Sequence, residues 1–175
     1  MIPKDTANRQ GIERGLVLGA KYMDTISVLI VEDNPVIAKI HRELVESVEG
    51  FTVVSIAATR KKIVDLLVNK RPNLVIIDNH LPDFSGLEII SFARNSGLPI
   101  DFIMATAVND GTSLTLALRY GVMDYIIKPF SAERLKASLA SYRLFFMQLT
   151  EERILLQKQI DEWYKTKTFF SPADN

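Results

Sequence analysis

From Ser27 onward the chain alternates short apolar runs with stretches whose apolar residues recur every three or four positions. Ser27–Val31 (SVLIV) is continuously apolar and β-branched, as a strand buried on both faces should be. Pro35 then suits a first helical turn, and Ile37, Ile40, Leu44, Val45 and Val48 follow at helical spacing up to Gly50. Phe51–Ala57 predicts a second strand. Thr59 predicts a cap for a helix carrying Ile63, Leu66 and Leu67, which ends before Pro72. Leu74–Ile77 predicts a third strand with Asp78 directly after it. Pro82–Gly86 reads as a turn into a helix over Leu87, Ile90 and Phe92, stopped by Gly97 and Pro99. Asp101–Ala105 is the fourth strand. A helix over Asn109–Tyr120 closes at Gly121, Met123–Ile127 is the fifth strand, and a long helix starts after Lys128-Pro129-Phe130, from Ser131.

Five strand–helix units in succession imply an α/β class. Right-handed crossovers then give a parallel sheet covered on both faces, a three-layer sandwich. In such sheets ligand chemistry lies beyond the carboxyl ends of the strands. The polar residues that directly follow the apolar runs are Glu32 and Asp33, Asp78, Thr106 and Lys128. Three carboxylates crowded together repel one another, and a hard divalent cation such as Mg2+, which takes oxygen ligands and keeps several waters, relieves this. Lys128 adds an ammonium and Thr106 a hydroxyl. A carboxylate nucleophile, a metal, an ammonium and a hydroxyl together suit phosphoryl transfer to an aspartate, because that chemistry needs positioning and charge neutralisation.

At these residues the chain resembles the receiver domains of two-component response regulators. The resemblance rests on Val31-Glu32-Asp33-Asn34-Pro35, Asp78 through Gly86 (DNHLPDFSG), Ala105-Thr106-Ala107 and Asp124 through Phe130 (DYIIKPF), in the family's order and spacing, and covers about residues 26–145. It implies a flavodoxin-like (βα)5 fold with a five-stranded parallel sheet in the order 2-1-3-4-5 and a C-terminal helical extension. Asp78 is then the phospho-acceptor. Glu32, Asp33, Asp78 and the backbone carbonyl of His80 hold Mg2+. Lys128 contacts the phosphoryl oxygens, Thr106 gives its hydroxyl to the phosphoryl group, and Tyr125 turns inward as the switch aromatic. The Lys128–Pro129 bond is expected to be cis. In Leu29–Asp33, Leu81–Glu88 and Ala117–Gly121 the wording is similar to regulators that respond to citrate and C4-dicarboxylates.

Two positions depart from a plain receiver. His80, two residues past the acceptor, puts an imidazole where it can alter water access to an acyl phosphate, and Val108, two past Thr106, offers no acid or base. Taken singly, each site residue has a plainer reading: Glu32 and Asp33 as a solvated strand end or cap, Asp78 as a turn residue, Lys128 as a surface lysine, Tyr125 as packing. Their joint placement at four strand ends favours the site. His41 reads as an ordinary surface residue of the first helix, and Arg60-Lys61-Lys62 as a solvated helix start.

Composition narrows the function classes. Hydrophobic residues are 47% and charged residues 24% of the 175, enough for a core. Lys plus Arg and Asp plus Glu number 21 each, so this segment has no net charge that would draw it to nucleic acid or an anionic membrane. The absence of cysteine excludes disulfides and thiolate sites. No apolar run approaches the ~18 residues of a membrane span, and the chain reads as cytoplasmic. Neither a P-loop nor a dinucleotide-binding glycine pattern occurs. An aspartate-nucleophile phosphatase needs a second acid where His80 stands.

The organisation expected is a leader or disordered segment over 1–25, a receiver over 26–147, and a helical tail or linker over 148–175 toward an output domain missing from this chain. Residues 1–22 read as a vector-derived leader or an upstream start. The tail, with Ile154, Leu155, Leu156, Ile160, Trp163 and Tyr164, is more apolar than a receiver's last helix requires, and is expected to pair with a second copy or pack back on the receiver. The partners expected are a sensor histidine kinase and a second copy of the chain, with DNA reached through an output domain and no membrane. The function expected is phosphorylation-controlled dimerisation and output, with transcription regulated by the full-length protein and no enzyme turnover beyond the chain's own phosphorylation and dephosphorylation. The alternative is a stand-alone or pseudo-receiver that acts as a protein-binding module.

Overall fold

Each predicted apolar run becomes a strand of one sheet. The computed structural model describes residues 25–107 and 111–150. In chain order the elements are β1 (Ile26–Val31), α1 (Pro35–Glu46), β2 (Phe51–Ala57), α2 (Arg60–Asn69), β3 (Leu74–Ile77), α3 (Gly86–Asn95), β4 (Asp101–Thr106), α4 (Gly111–Arg119), β5 (Asp124–Ile127) and α5 (Ala132–Thr150). All strand pairs are parallel and the order is β2-β1-β3-β4-β5. This is the (βα)5 flavodoxin-like arrangement.

The three inner strands are buried along almost their whole length, whereas β2 at one edge alternates between buried and exposed positions. Because side chains alternate along a strand, each inner strand feeds two cores. Leu29, Val31, Val75, Ile77, Phe102 and Met104 pack on one face with Ile63 and Leu67 of α2, Ile89 and Ile90 of α3, and Ala117 of α4. Val28, Ile30, Leu74, Ile76, Ile103 and Ala105 pack on the other with Val45 of α1 and Leu135, Leu139 and Tyr142 of α5. Helices therefore cover both faces, which an all-parallel sheet requires.

Caps set where the helices begin. The Asn34 side chain accepts hydrogen bonds from the backbone of Val36 and Ile37 at 3.0 and 3.3 Å, and Ser85 with Glu88 forms a capping box at the start of α3. Thr59 stands at the N-cap of α2 as expected, but its hydroxyl makes no capping hydrogen bond. Strand ends shift by one residue from the sequence reading: β1 begins at Ile26, β4 reaches Thr106 and β5 begins at Asp124.

α5 is anchored along its length. The Tyr142 hydroxyl lies 2.9 Å from Asp101 Oδ2 and 3.2 Å from the Asn73 carbonyl, and burial together with the Asp101 carboxylate keeps the phenol protonated far above its usual range. Arg143 donates to the Glu49 carbonyl at 2.7 Å and lies against Gly50, whose φ of +87° and missing side chain leave room for the guanidinium. Leu144, Met147 and Leu149 are exposed on this helix. The leader, Val108 and the apolar tail beyond Thr150 lie outside the described residues. Among the described residues no helix is long and apolar enough to cross a membrane.

Candidate functional site

The parallel ladder continues past the strands and fixes their carboxyl ends. Asp78 donates its backbone N–H to the Val31 carbonyl at 3.0 Å, Glu32 to Ala57 at 3.2 Å, and Lys128 to Thr106 at 2.9 Å. Glu32, Asp78, Thr106 and Lys128 thus sit in a row along one edge of the sheet. The Lys128 ammonium lies 2.7 Å from Glu32 Oε2 and 2.7 Å from Asp78 Oδ2, so it joins the two carboxylates.

Both carboxylates are shielded from water, Glu32 at 4% exposure and Asp78 at 9%. Their second oxygens are also engaged: Asp78 Oδ1 accepts the His80 N–H at 2.8 Å and Glu32 Oε1 the Asn34 N–H at 3.2 Å. Burial alone would lower the Lys128 pKa. Hydrogen bonds to Asp78 and Glu32 and their negative charge outweigh it, so the ammonium is held above its ordinary range. Thr106 is fully buried, Asp33 and the His80 side chain are exposed, and the Tyr125 ring lies inward, at 4% exposure, in the core covered by α2, α3 and α4. The Lys128–Pro129 peptide is cis.

Three supporting residues escaped the sequence reading. Asn79 is buried; its side-chain oxygen accepts from Leu87 N at 3.1 Å and its backbone carbonyl from Gly86 N at 3.1 Å, which ties the loop after β3 to the start of α3. Gly86 closes the Pro82–Gly86 turn, but what demands glycine there is space: an added Cβ would run into the Asp78 carbonyl oxygen. Asp124 sits in a bidentate pair with Arg134 at 2.7 and 2.8 Å. Burial would raise its carboxyl, and hydrogen bonds from Arg134, Ser138 and the Tyr125 backbone together with the Arg134 charge outweigh this and lower it.

His41 corrects an expectation. It is not a surface residue but 4% exposed, on the inner side of α1, with its ring stacked on Phe130 at 5.6 Å between centroids and 22° between planes. Burial first, and then the Lys128 charge, push its pKa down to about 4 against the smaller upward pull of Asp78, so the imidazole is neutral at physiological pH.

Among the described residues no group of three or more His, Cys, Asp or Glu side chains is gathered as a metal cage. Glu32 and Asp78 converge on the ammonium, while Asp33 is exposed beside them. The donors at this edge are nonetheless all hard oxygens, and Mg2+ binds through one or two carboxylates while keeping most of its waters, so the set fits that ion.

The family model described as the response regulator receiver domain matches residues 28–140. A probable C4-dicarboxylate response regulator, DctR, of Halalkalibacterium halodurans is 39% identical over 142 residues, 81% of this chain and 62% of that protein. The transcriptional regulatory protein DpiA of Escherichia coli K12 is 32% identical over 149 residues, 85% of this chain and 66% of that protein. The chain therefore spans roughly three-fifths to two-thirds of the length of these relatives. Among solved structures, the signal receiver domain of a putative Luxo repressor protein from Vibrio parahaemolyticus superposes with a TM-score of 0.66 at 27% identity, over 74% of this chain and 99% of that one.

Proposed function

The chain belongs to the response-regulator receiver family, and from that premise we propose that Asp78 is the residue that takes the phosphoryl group. As a receiver it is a phosphorylation-driven conformational switch, and it catalyses only the gain and loss of its own phosphoryl group. The observation that carries the assignment is the Lys128 ammonium, 2.7 Å from both Asp78 and Glu32 at the carboxyl edge of the sheet.

The Asp78 carboxylate attacks phosphorus as the donor's P–N bond breaks, and the phosphohistidine of a sensor kinase leaves as histidine. Lys128 faces the transferred oxygens with a charge held firmly by its surroundings. Glu32, Asp33, Asp78 and the backbone carbonyl of His80 are the groups that would hold Mg2+. When bound, it neutralises charge on the equatorial phosphoryl oxygens. Thr106 at the end of β4 then turns its hydroxyl to the phosphoryl group, and Tyr125, paired with Met104 on the same strand and holding its ring inward, is the switch aromatic that follows it.

The receiver spans 26–147 on this reading, and 148–175 leads toward an output domain. Output is transcription control, since the relatives that share most of this chain include a transcriptional regulatory protein and C4-dicarboxylate regulators. A dimer and a cytoplasmic location accompany that role. Beryllofluoride, a stable phosphoryl mimic, tests the switch. With Mg2+ it should shift the amide resonances of Thr106, Tyr125 and the 128–131 loop in wild type and leave Asp78→Asn unchanged. A wild-type spectrum that does not move would contradict a switch at this site.

A further inference from the structure

We infer that His41 is a positioning residue for Lys128: its buried ring, stacked on Phe130, holds the loop between β5 and α5 so that the ammonium stays between Glu32 and Asp78. The inference rests on the reading of Asp78 as acceptor and adds a residue to it.

The loop has two sides. On the sheet side, Lys128 is pinned by its backbone bond to Thr106. Immediately after it comes Pro129, which has no N–H to donate and is exposed, so the next available hold is the side chain of Phe130. Phe130 is half-buried, and the ring it stacks on belongs to α1, the helix that starts three residues after Glu32. One face contact therefore links the segment carrying the ammonium to the segment carrying one of its two carboxylates. A lysine side chain has four rotatable bonds, and holding its tip at 2.7 Å from two oxygens needs a fixed base.

The chemistry of the ring suits the place. A phenylalanine or imidazole offers a flat face at stacking distance, which an aliphatic side chain does not. A neutral imidazole stacks without adding a second cation that would compete with Lys128 for Glu32 and Asp78. Its surroundings keep it neutral, since burial and the nearby ammonium both disfavour its charged form. The phosphoryl-transfer step itself leaves His41 untouched, which is why its contribution is positional.

The experiment measures the initial rate of phosphorylation at Asp78 by acetyl phosphate with Mg2+, by intact mass, alongside the thermal midpoint. Wild type is compared with His41→Ala, His41→Leu and His41→Phe in the full chain. His41→Phe, which keeps a stacking ring, should react at close to the wild-type rate. His41→Leu, which fills the space without a ring, should keep most of the thermal midpoint yet react at least about ten-fold more slowly, the scale of loss expected from a misplaced catalytic group. His41→Ala should lose both. If His41→Ala does not fold, Phe130→Leu removes the other half of the stack and should show the same slow reaction. His41→Leu at the wild-type rate would overturn the inference, because packing alone would then suffice. His41→Phe as slow as His41→Leu would overturn it too, by assigning the role to the imidazole nitrogens. A wild-type chain that takes no phosphoryl group would instead overturn the Asp78 reading, and this inference with it.

Discussion

Burial holds the His41 imidazole neutral down to about pH 4 in the folded chain, whereas an unfolded histidine titrates near 6.5. The sign follows from proton binding. Between those values the unfolded chain binds a proton that the folded chain does not, so stability is full above pH 6.5, falls as the pH drops toward 4, and levels off below. The shift corresponds to at most about 3 kcal/mol. Chemical denaturation at pH 7 and pH 4.5 should show the loss in wild type and a clearly smaller one in His41→Phe. An identical loss in both would place the acid sensitivity elsewhere. The sequence hid this residue for a physical reason. The apolar residues of α1 suggest an inner face through Ile37, Ile40, Leu44 and Val45; Val45 is buried and Leu44 packs against the core as that spacing predicts, but the other buried positions are Ala38 and His41, and Ile40 is exposed. With a small residue and a polar ring at two of the inner positions and an exposed Ile40, residue type alone does not mark where the inner face lies.

At the scale of elements, the loop after β3 depends on the start of α3. Gly86 lies so close to the Asp78 carbonyl that any side chain forces backbone apart, and the Asn79 bonds to Gly86 and Leu87 pass through the same contact. Gly86→Ala should therefore destabilise the fold by about 1–3 kcal/mol, measured by denaturant titration, and slow phosphorylation of Asp78 as its backbone shifts. A neutral substitution would show that the loop relaxes freely. The strands themselves were legible because an all-parallel sheet buries both faces, and runs such as Leu74–Ile77 have no other reading beside a helical pattern. Their ends were less so. β1 gains Ile26 because its N–H reaches the Gly50 carbonyl across the sheet, and β4 gains Thr106 because its carbonyl receives Lys128 N–H. Those partners lie far away in the chain, and local pattern does not contain them. The acid and ammonium at the strand ends were readable because they follow apolar runs directly. Asn79 was not, since a polar residue after an aspartate looks like loop until the helix it clamps is in place.

For the whole molecule, the two faces are closed by different sets of helices, and α5 carries exposed Leu144, Met147 and Leu149 toward an apolar stretch from Ile154 to Tyr164. Apolar surface of this kind is stabilised by a partner. Light scattering should give about twice the monomer mass for the intact chain and the monomer mass for one ending at Phe146. A monomer mass for both would count against dimerisation through the tail.

The Asp78 carboxylate beside Lys128 is the group that takes the phosphoryl load on this reading, and intact mass reads that load without an intermediary. Wild type and Asp78→Asn are incubated with Mg2+ and acetyl phosphate. One added phosphoryl group on wild type and none on Asp78→Asn is the result expected. An adduct of the same size on both would place the acceptor elsewhere and contradict the account.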